Sequence, residues 1–201
     1  MRHFVTASLL LFSAAPFFQA APATGDHPPN GQPAVVTKFL DLFDRLRAAQ
    51  EGEHQSVSFQ LSETEINDYL RYSLKTTPRP GIDSVVVKFF AKDYISTYTR
   101  VDFDAVEKWR PGTIPGVLRP ILKGKKAIWI DFRLKADNSL LSFTVEKARY
   151  DEMALPAFFV EKMIQIVAAR QPEKYDTSKP MPIPFGLKKV WTGEHQISGN
   201  N

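Results

Sequence analysis

The sequence predicts a single α+β domain built on an antiparallel sheet that helices cover on one face. Three observations lead there. Apolar residues recur at three- and four-residue steps in three well-separated stretches, the period of amphipathic helices. Between them lie paired stretches in which apolar and polar residues alternate, the period of half-buried strands joined as hairpins. Finally, the chain has 201 residues, 43% hydrophobic and 24% charged, enough for one sizeable core and ordinary for a globular protein.

The first stretch stands apart from the fold. Arg2 is followed by an almost charge-free apolar run from Phe4 to Phe18, and Ala21-Pro22-Ala23 offers a small-x-small cleavage pattern. Residues 1–23 thus read as a signal peptide. The other reading is a membrane anchor, against which stand the shortness of the run and its interruption at Pro16. No lipobox cysteine follows. Residues 24–33 (TGDHPPNGQP) form a flexible lead-in, and residues 34–198 the single α+β domain. The expectation is an exported chain, periplasmic or otherwise extracytoplasmic, and soluble after cleavage.

Val35, Val36, Phe39, Leu40, Phe43 and Leu46 mark the first helix, ending by Gly52. Val57-Ser58-Phe59-Gln60-Leu61 alternates as a strand. Ser62 followed by Glu65 is a capping box, with Leu61 and Ile66 placed as a hydrophobic staple. This second helix carries Ile66, Tyr69, Leu70 and Leu74 and stops at Pro78 and Pro80. Residues 85–91 and 94–104 predict a hairpin around Lys92-Asp93. Residues 127–135 and 140–150 predict another, with Ile128, Ile130, Phe132 and Leu134 on one face. Pro156 opens a third helix through Phe159, Met163, Ile166 and Val167, which Pro172 closes. Residues 187–192 suggest a last short strand, and Gly199-Asn200-Asn201 a frayed end.

Several chemistries are excluded by composition. With no cysteine there is no disulfide scaffold, thiol nucleophile or thiolate metal site. The four histidines, His3, His27, His54 and His195, form no H-x-x-x-H or H-E-x-x-H pair, so no metal site is expected. Nucleophile elbows, P-loops and dinucleotide fingerprints are missing as well. Asp102 and Asp104 would share one side of a strand and are the best acidic pair for hydrolysis; the plain alternative is a solvated polar face, and no enzyme or cofactor is expected. A net charge of only +4 gives no reason to expect nucleic acid as a partner.

Two features carry the functional reading. The segment 108–126 holds Lys108, Arg110, Arg119, Lys123, Lys125 and Lys126 and no acid, interleaved with Trp109, Ile114, Val117, Leu118, Ile121 and Leu122. Such a segment suits anionic headgroups and acyl chains, and Lys108, Trp109, Arg110, Arg119 and Lys123 are its headgroup or membrane-surface candidates. Equally, it reads as a crossover loop whose aliphatics tuck into the core. The second feature is the inward-facing set Phe39, Phe43, Leu70, Phe89, Phe103, Phe132, Phe143, Phe159, Met163 and Ile166. These either fill a core or line a slot for acyl chains.

The order of elements, and Leu61-Ser62-Glu63-Thr64-Glu65-Ile66-Asn67-Asp68-Tyr69-Leu70 in particular, resembles the exported bacterial LmeA-like and YpmS-like lipid-binding proteins, related in fold to the tubular lipid-binding (TULIP-like) superfamily. The shared pattern is an acidic residue, three intervening residues, Asn, two more and Leu. Residues 85–104, Leu155-Pro156 and Pro182-Ile183-Pro184-Phe185-Gly186-Leu187 extend the resemblance over about residues 57–192. It implies a half-barrel, with a long helix cradled by a curved antiparallel sheet and lipid in the groove between them. The function expected is that of an exported soluble lipid-binding protein of the cell envelope, with phospholipid or another acyl lipid as partner. The alternative is an envelope scaffold or accessory module that uses segment 108–126 to dock a protein.

Overall fold

Helix α1 (Ala34–Gln50) opens the computed structural model, which describes residues 33–52, 56–114, 116–168 and 179–201. Its buried face is Val36, Phe39, Leu42, Phe43 and Leu46, the stripe its periodicity predicts. Strand β1 (Ser58–Ser62) runs directly into helix α2 (Glu63–Thr76) through the expected capping box. The Glu65 amide donates to Ser62 Oγ at 3.2 Å, and the Ser62 amide donates to Glu65 Oε2 at 2.8 Å. Lys38 of α1 reaches Glu65 as well.

The sheet is α+β in its setting, antiparallel throughout and curved. Strands β2 (Ile82–Phe90), β3 (Tyr94–Asp102), β4 (Lys125–Asp137) and β5 (Leu140–Tyr150) follow one another as a meander. The β4–β5 loop is two residues, Asn138 (φ 52°) and Ser139 (φ 61°), the left-handed pair that matches strand twist. Register shifts between Ile82 and Ser84 and between Asp131 and Phe132 place bulges that bend the sheet. Short strands β6 (Met153–Leu155) and β7 (Met181–Pro182) add to the free side of β5, and helix α4 (Ala157–Ala168) packs back across it.

Two expectations about the chain are corrected. Strand β3 ends at Asp102, not Asp104, because the Asp102 carboxylate accepts the Ala105 amide at 3.1 Å and caps helix α3 (Phe103–Trp109). Asp102 and Asp104 therefore do not share a strand face, and the geometry proposed for an acidic pair is lost. The C-terminus is not frayed: β8 (Lys189–Gly193) and β9 (Gln196–Asn200) form a hairpin, and β9 lies between β8 and β1. Gly199 is needed there, since a Cβ at that position would sit 2.7 Å from the Phe59 ring.

Register assigns the faces. Ile95, Phe132 and Val145 lie opposite one another across three strands and point to the helices. Around them a main core gathers residues from α1, α2, α4 and every long strand. A second, smaller cluster at one end of the sheet joins Phe103, Ile114, Leu118, Leu122 and Tyr150. Residues 1–23 and the lead-in lie outside the described residues, except Pro33, which sits before α1 without a side-chain cap.

Candidate functional site

The Glu-Asn-Leu spacing in α2 has a direct structural use. The Asn67 amide pairs with β2 as a neighbouring strand would: Val87 N donates to Asn67 Oδ1 at 2.8 Å and Asn67 Nδ2 donates to Val87 O at 2.8 Å. One turn earlier, Glu63 Oε2 accepts the Phe89 amide at 3.0 Å, while Leu70 is buried in the core. Helix α2 is thus fastened along the outer edge of β2, hiding polar groups that an edge strand leaves open. Beside this clasp lies an open groove of about 520 Å³, whose lining includes Asp68, Arg71, Lys75 and Asp83. Its lining is mixed, with Leu74, Ile82, Val85 and Val86 beside those charged groups.

The ten inward-facing candidates divide between the two clusters. Phe39, Phe43, Leu70, Phe89 and Phe132 are buried in the main core, and half-buried Phe143 meets Phe132 edge-on at 6.4 Å. Their rings contact one another: Phe39 stacks on Tyr69 at 4.3 Å, and Phe43 lies 5.7 Å from Phe185. Phe103 belongs to the second cluster, with Phe159 and Met163 half-buried against it. Ile166 falls in α4, and its side chain lies outside the described residues.

The second cluster is where segment 108–126 enters the structure. Ile114, Leu118 and Leu122 are buried, as the crossover-loop reading expects, and the Tyr150 hydroxyl donates to the Ile121 carbonyl at 2.7 Å. The organiser is Glu107, one residue before the segment. Its carboxylate accepts the Gly112 amide at 2.9 Å and the Ile114 amide at 3.0 Å, and binds Arg119 at 2.6 Å. These amide bonds first, with Arg119 adding to them, hold the carboxyl below the ordinary carboxylate range. Asp151 plays a parallel part, accepting the Ala127 amide at 2.9 Å and pairing with Lys126 at 2.8 Å. That amide chiefly, helped by Lys126, lowers its pKa too.

What this end presents to solvent is both apolar and basic. Trp109, Ile121, Met153 and Phe158 are 39%, 45%, 53% and 74% exposed. Register brings the elements that carry them to one end of the sheet: β3 ends, β4 begins and β5 turns into β6 there, and the first turn of α4, with Phe158, follows β6. Among the cationic candidates Arg119 is tied to Glu107, and Lys125 and Lys126 pair with Asp83 and Asp151. Lys108, Arg110 and Lys123 are exposed and have no carboxylate in range among the described residues; the Arg110 guanidinium lies 4.8 Å over the Trp109 ring. Arg79 adds its charge nearby; burial and the Arg110 charge lower its pKa. Glu107 escaped the sequence reading because the segment was delimited by its lack of acids. Met153 and Phe158 escaped it because their place at this end of the sheet depends on β5–β6 pairing.

Among the described residues no group of three His, Asp or Glu side chains is placed to hold a metal ion, and no helix is long and apolar enough to cross a membrane. No family model matches this chain, and no curated protein matches it in sequence. A solved structure of lipopolysaccharide binding protein is similar over 71% of this chain at 10% identity, with a TM-score of 0.22. This chain spans 39% of that protein's length, and a likeness of that degree establishes no common fold.

Proposed function

We propose that this is an exported lipid-binding protein of the cell envelope, built as a half-barrel, that meets anionic lipid with the end of its sheet around Trp109 and Ile121. The observation that carries the reading is that Trp109, Ile121, Met153 and Phe158, all substantially exposed, and the exposed Lys108, Arg110 and Lys123 come from elements that meet at one end of the sheet. Soluble proteins do not usually leave large apolar side chains gathered in one place unless something covers them. A Trp with a guanidinium on its face and lysines alongside suits the boundary between acyl chains and phosphate headgroups. The acyl chains are received over the second cluster, between α4 and residues 110–124, where Phe159 and Met163 are only half-buried. The mutual contacts of the main-core rings favour this position over the space between α1, α2 and the sheet.

Co-sedimentation with phosphatidylglycerol-containing vesicles and with neutral phosphatidylcholine vesicles tests the proposal. Each exposed apolar side chain that enters the bilayer contributes about 1–2 kcal/mol. Combined Trp109→Ala, Ile121→Ser and Phe158→Ser should therefore lower partitioning at least tenfold, with the circular dichroism unchanged. Lys108→Glu with Lys123→Glu should erase the preference for the anionic vesicle. A chain that binds neither vesicle, or variants that bind as the parent does, would overturn the reading.

A further inference from the structure

The face of the sheet turned away from the helices carries a second, independent arrangement. Tyr98 and Trp129 are direct partners across β3 and β4, with ring centroids 4.9 Å apart. The next strand continues the same rung with Arg149, whose guanidinium lies 4.8 Å over the Trp129 ring. Around this centre stand Arg100, two residues along β3, and Lys88 and Lys147 on the neighbouring rung. All four cations are exposed, and none has a carboxylate within ion-pair distance among the described residues. Two acids stand nearby: Asp131 and Glu146 add to the burial that raises the Tyr94 pKa, and Glu146 pairs with Arg133. Ser96 and Tyr98 are half-exposed, and their hydroxyls make no hydrogen bond within the described residues.

We infer that this outer face binds an acidic polysaccharide, reading its carboxylate or phosphate groups with Arg100, Lys147 and Arg149 and its hydroxyls with Ser96 and Tyr98. The indole supports the exposed Arg149 guanidinium, whose N–H groups have no carboxylate partner among the described residues and can make bidentate contact with an anion. Strand spacing of about 4.8 Å and an alternate-residue spacing of about 6.8 Å set the cations on a shallow grid, suited to a linear chain with regularly repeated charge. The excess of positive charge opposes pairing with a second copy of this face. Single-stranded nucleic acid is disfavoured because base stacking needs open ring faces, and Trp129 is already packed by Arg149 and Tyr98. Membrane insertion has little to use here, since Val86, 37% exposed, is the aliphatic side chain of this rung. The surface is separate from the lipid-facing end and does not rest on it.

Fluorescence anisotropy with labelled polygalacturonate, dextran sulfate, neutral dextran and a single-stranded oligonucleotide tests this. The full chain should bind one or both of the acidic glycans, more weakly as salt rises, and bind neutral dextran at least tenfold less tightly. Arg100→Glu with Lys147→Glu and Arg149→Glu should weaken binding at least tenfold while thermal unfolding stays close to that of the parent. Charge-preserving Arg149→Lys should lose several-fold through the lost fork. The triple substitution at Trp109, Ile121 and Phe158 that weakens vesicle binding should leave glycan affinity unchanged. Absence of glycan binding, equal or tighter binding of the oligonucleotide, or an unaffected charge-reversal variant would each overturn the inference.

Discussion

Replacing Asn67 with Ala removes the clasp between α2 and β2 while leaving the apolar core untouched. Three hydrogen bonds go: the reciprocal pair with Val87, both 2.8 Å, and the bond from Asn67 Nδ2 to the Glu63 carbonyl at 2.9 Å. A net value of about 1 kcal/mol each, with a surcharge for the partly buried Val87 groups, gives roughly 3 kcal/mol. For a domain of this size that lowers Tm by about 6–12 °C. The neighbouring pair Asp68–Arg71 is exposed, so Asp68→Ala should cost under about 0.5 kcal/mol and serves as the control. Urea unfolding followed by circular dichroism measures both, and sedimentation velocity should show the Ala variant associating as the edge of β2 opens. Asn67→Asp adds a sign test. Its ionised carboxylate keeps the acceptor for Val87 N but faces two carbonyl oxygens, so this variant should gain stability relative to the parent as acid protonates it. If Asn67→Ala is no more costly than Asp68→Ala, the helix is held by packing alone and the clasp is incidental.

Four further outcomes follow from the same geometry. Phe39→Ala, at a site 3% exposed and stacked on Tyr69, should cost about 3–5 kcal/mol in urea unfolding whether or not lipid is present; a small, lipid-dependent cost would mean that the main interior holds a guest. Gly81→Ala, where φ is +87° and a Cβ would lie 2.4 Å from Val106 Cγ2 and 2.5 Å from the Asp102 carbonyl, should cost roughly 2–4 kcal/mol by the same measure. A chain ending at His195 should lose the cooperative thermal transition, because β9 is the strand joining β1 to β8; an unchanged transition would refute that role. Glu65, Glu107 and Asp151 titrate below their ordinary values of 4.5, 4.5 and 3.8 in the fold, so the folded state takes up their protons less readily than the unfolded chain. Their contribution is complete above those ordinary values and is lost as pH falls through the lowered ones; Glu107→Gln should flatten stability against pH in that range, measured by thermal unfolding.

How far the sequence announces this structure depends on how local the cause is. The Ser62–Glu65 box, the α1 stripe and the two hairpins rest on contacts within a few residues, and they are where the periodicities put them. Helix α3 was hidden because Tyr94 to Asp104 alternates well enough to pass as one strand; the one local signal is Asp102, an N-cap residue whose carboxylate takes the Ala105 amide three residues on. Strand β9 could not be read from Gln196-Ile197-Ser198-Gly199-Asn200, where Ile197 alone favours a strand and Gly and Asn disfavour one. Its order comes from β1, more than 130 residues earlier, which pairs Phe59 with Gly199. The acidic-Asn-Leu spacing in α2 was visible, but its purpose required knowing that β2 is an edge.

That distinction also bears on where a ligand is met. A row of inward-facing Phe residues in a sequence fits a filled core and a lined tunnel equally well, because both need the same alternation. Coordinates separate them through ring-to-ring contact, and Phe39, Phe43, Tyr69 and Phe185 contact one another within 4.3–6.2 Å. Leu140 and Trp191 are exposed at the opposite end of the sheet, and the largest exposures are at the end where Glu107 and Asp151 hold the intervening loop by its amides. There the fold fixes the backbone with carboxylates and leaves Trp109, Ile121, Met153 and Phe158 uncovered. On the proposed reading the partner is met at that end, where apolar surface stays uncovered, and the lysines and Arg110 there favour an anionic one.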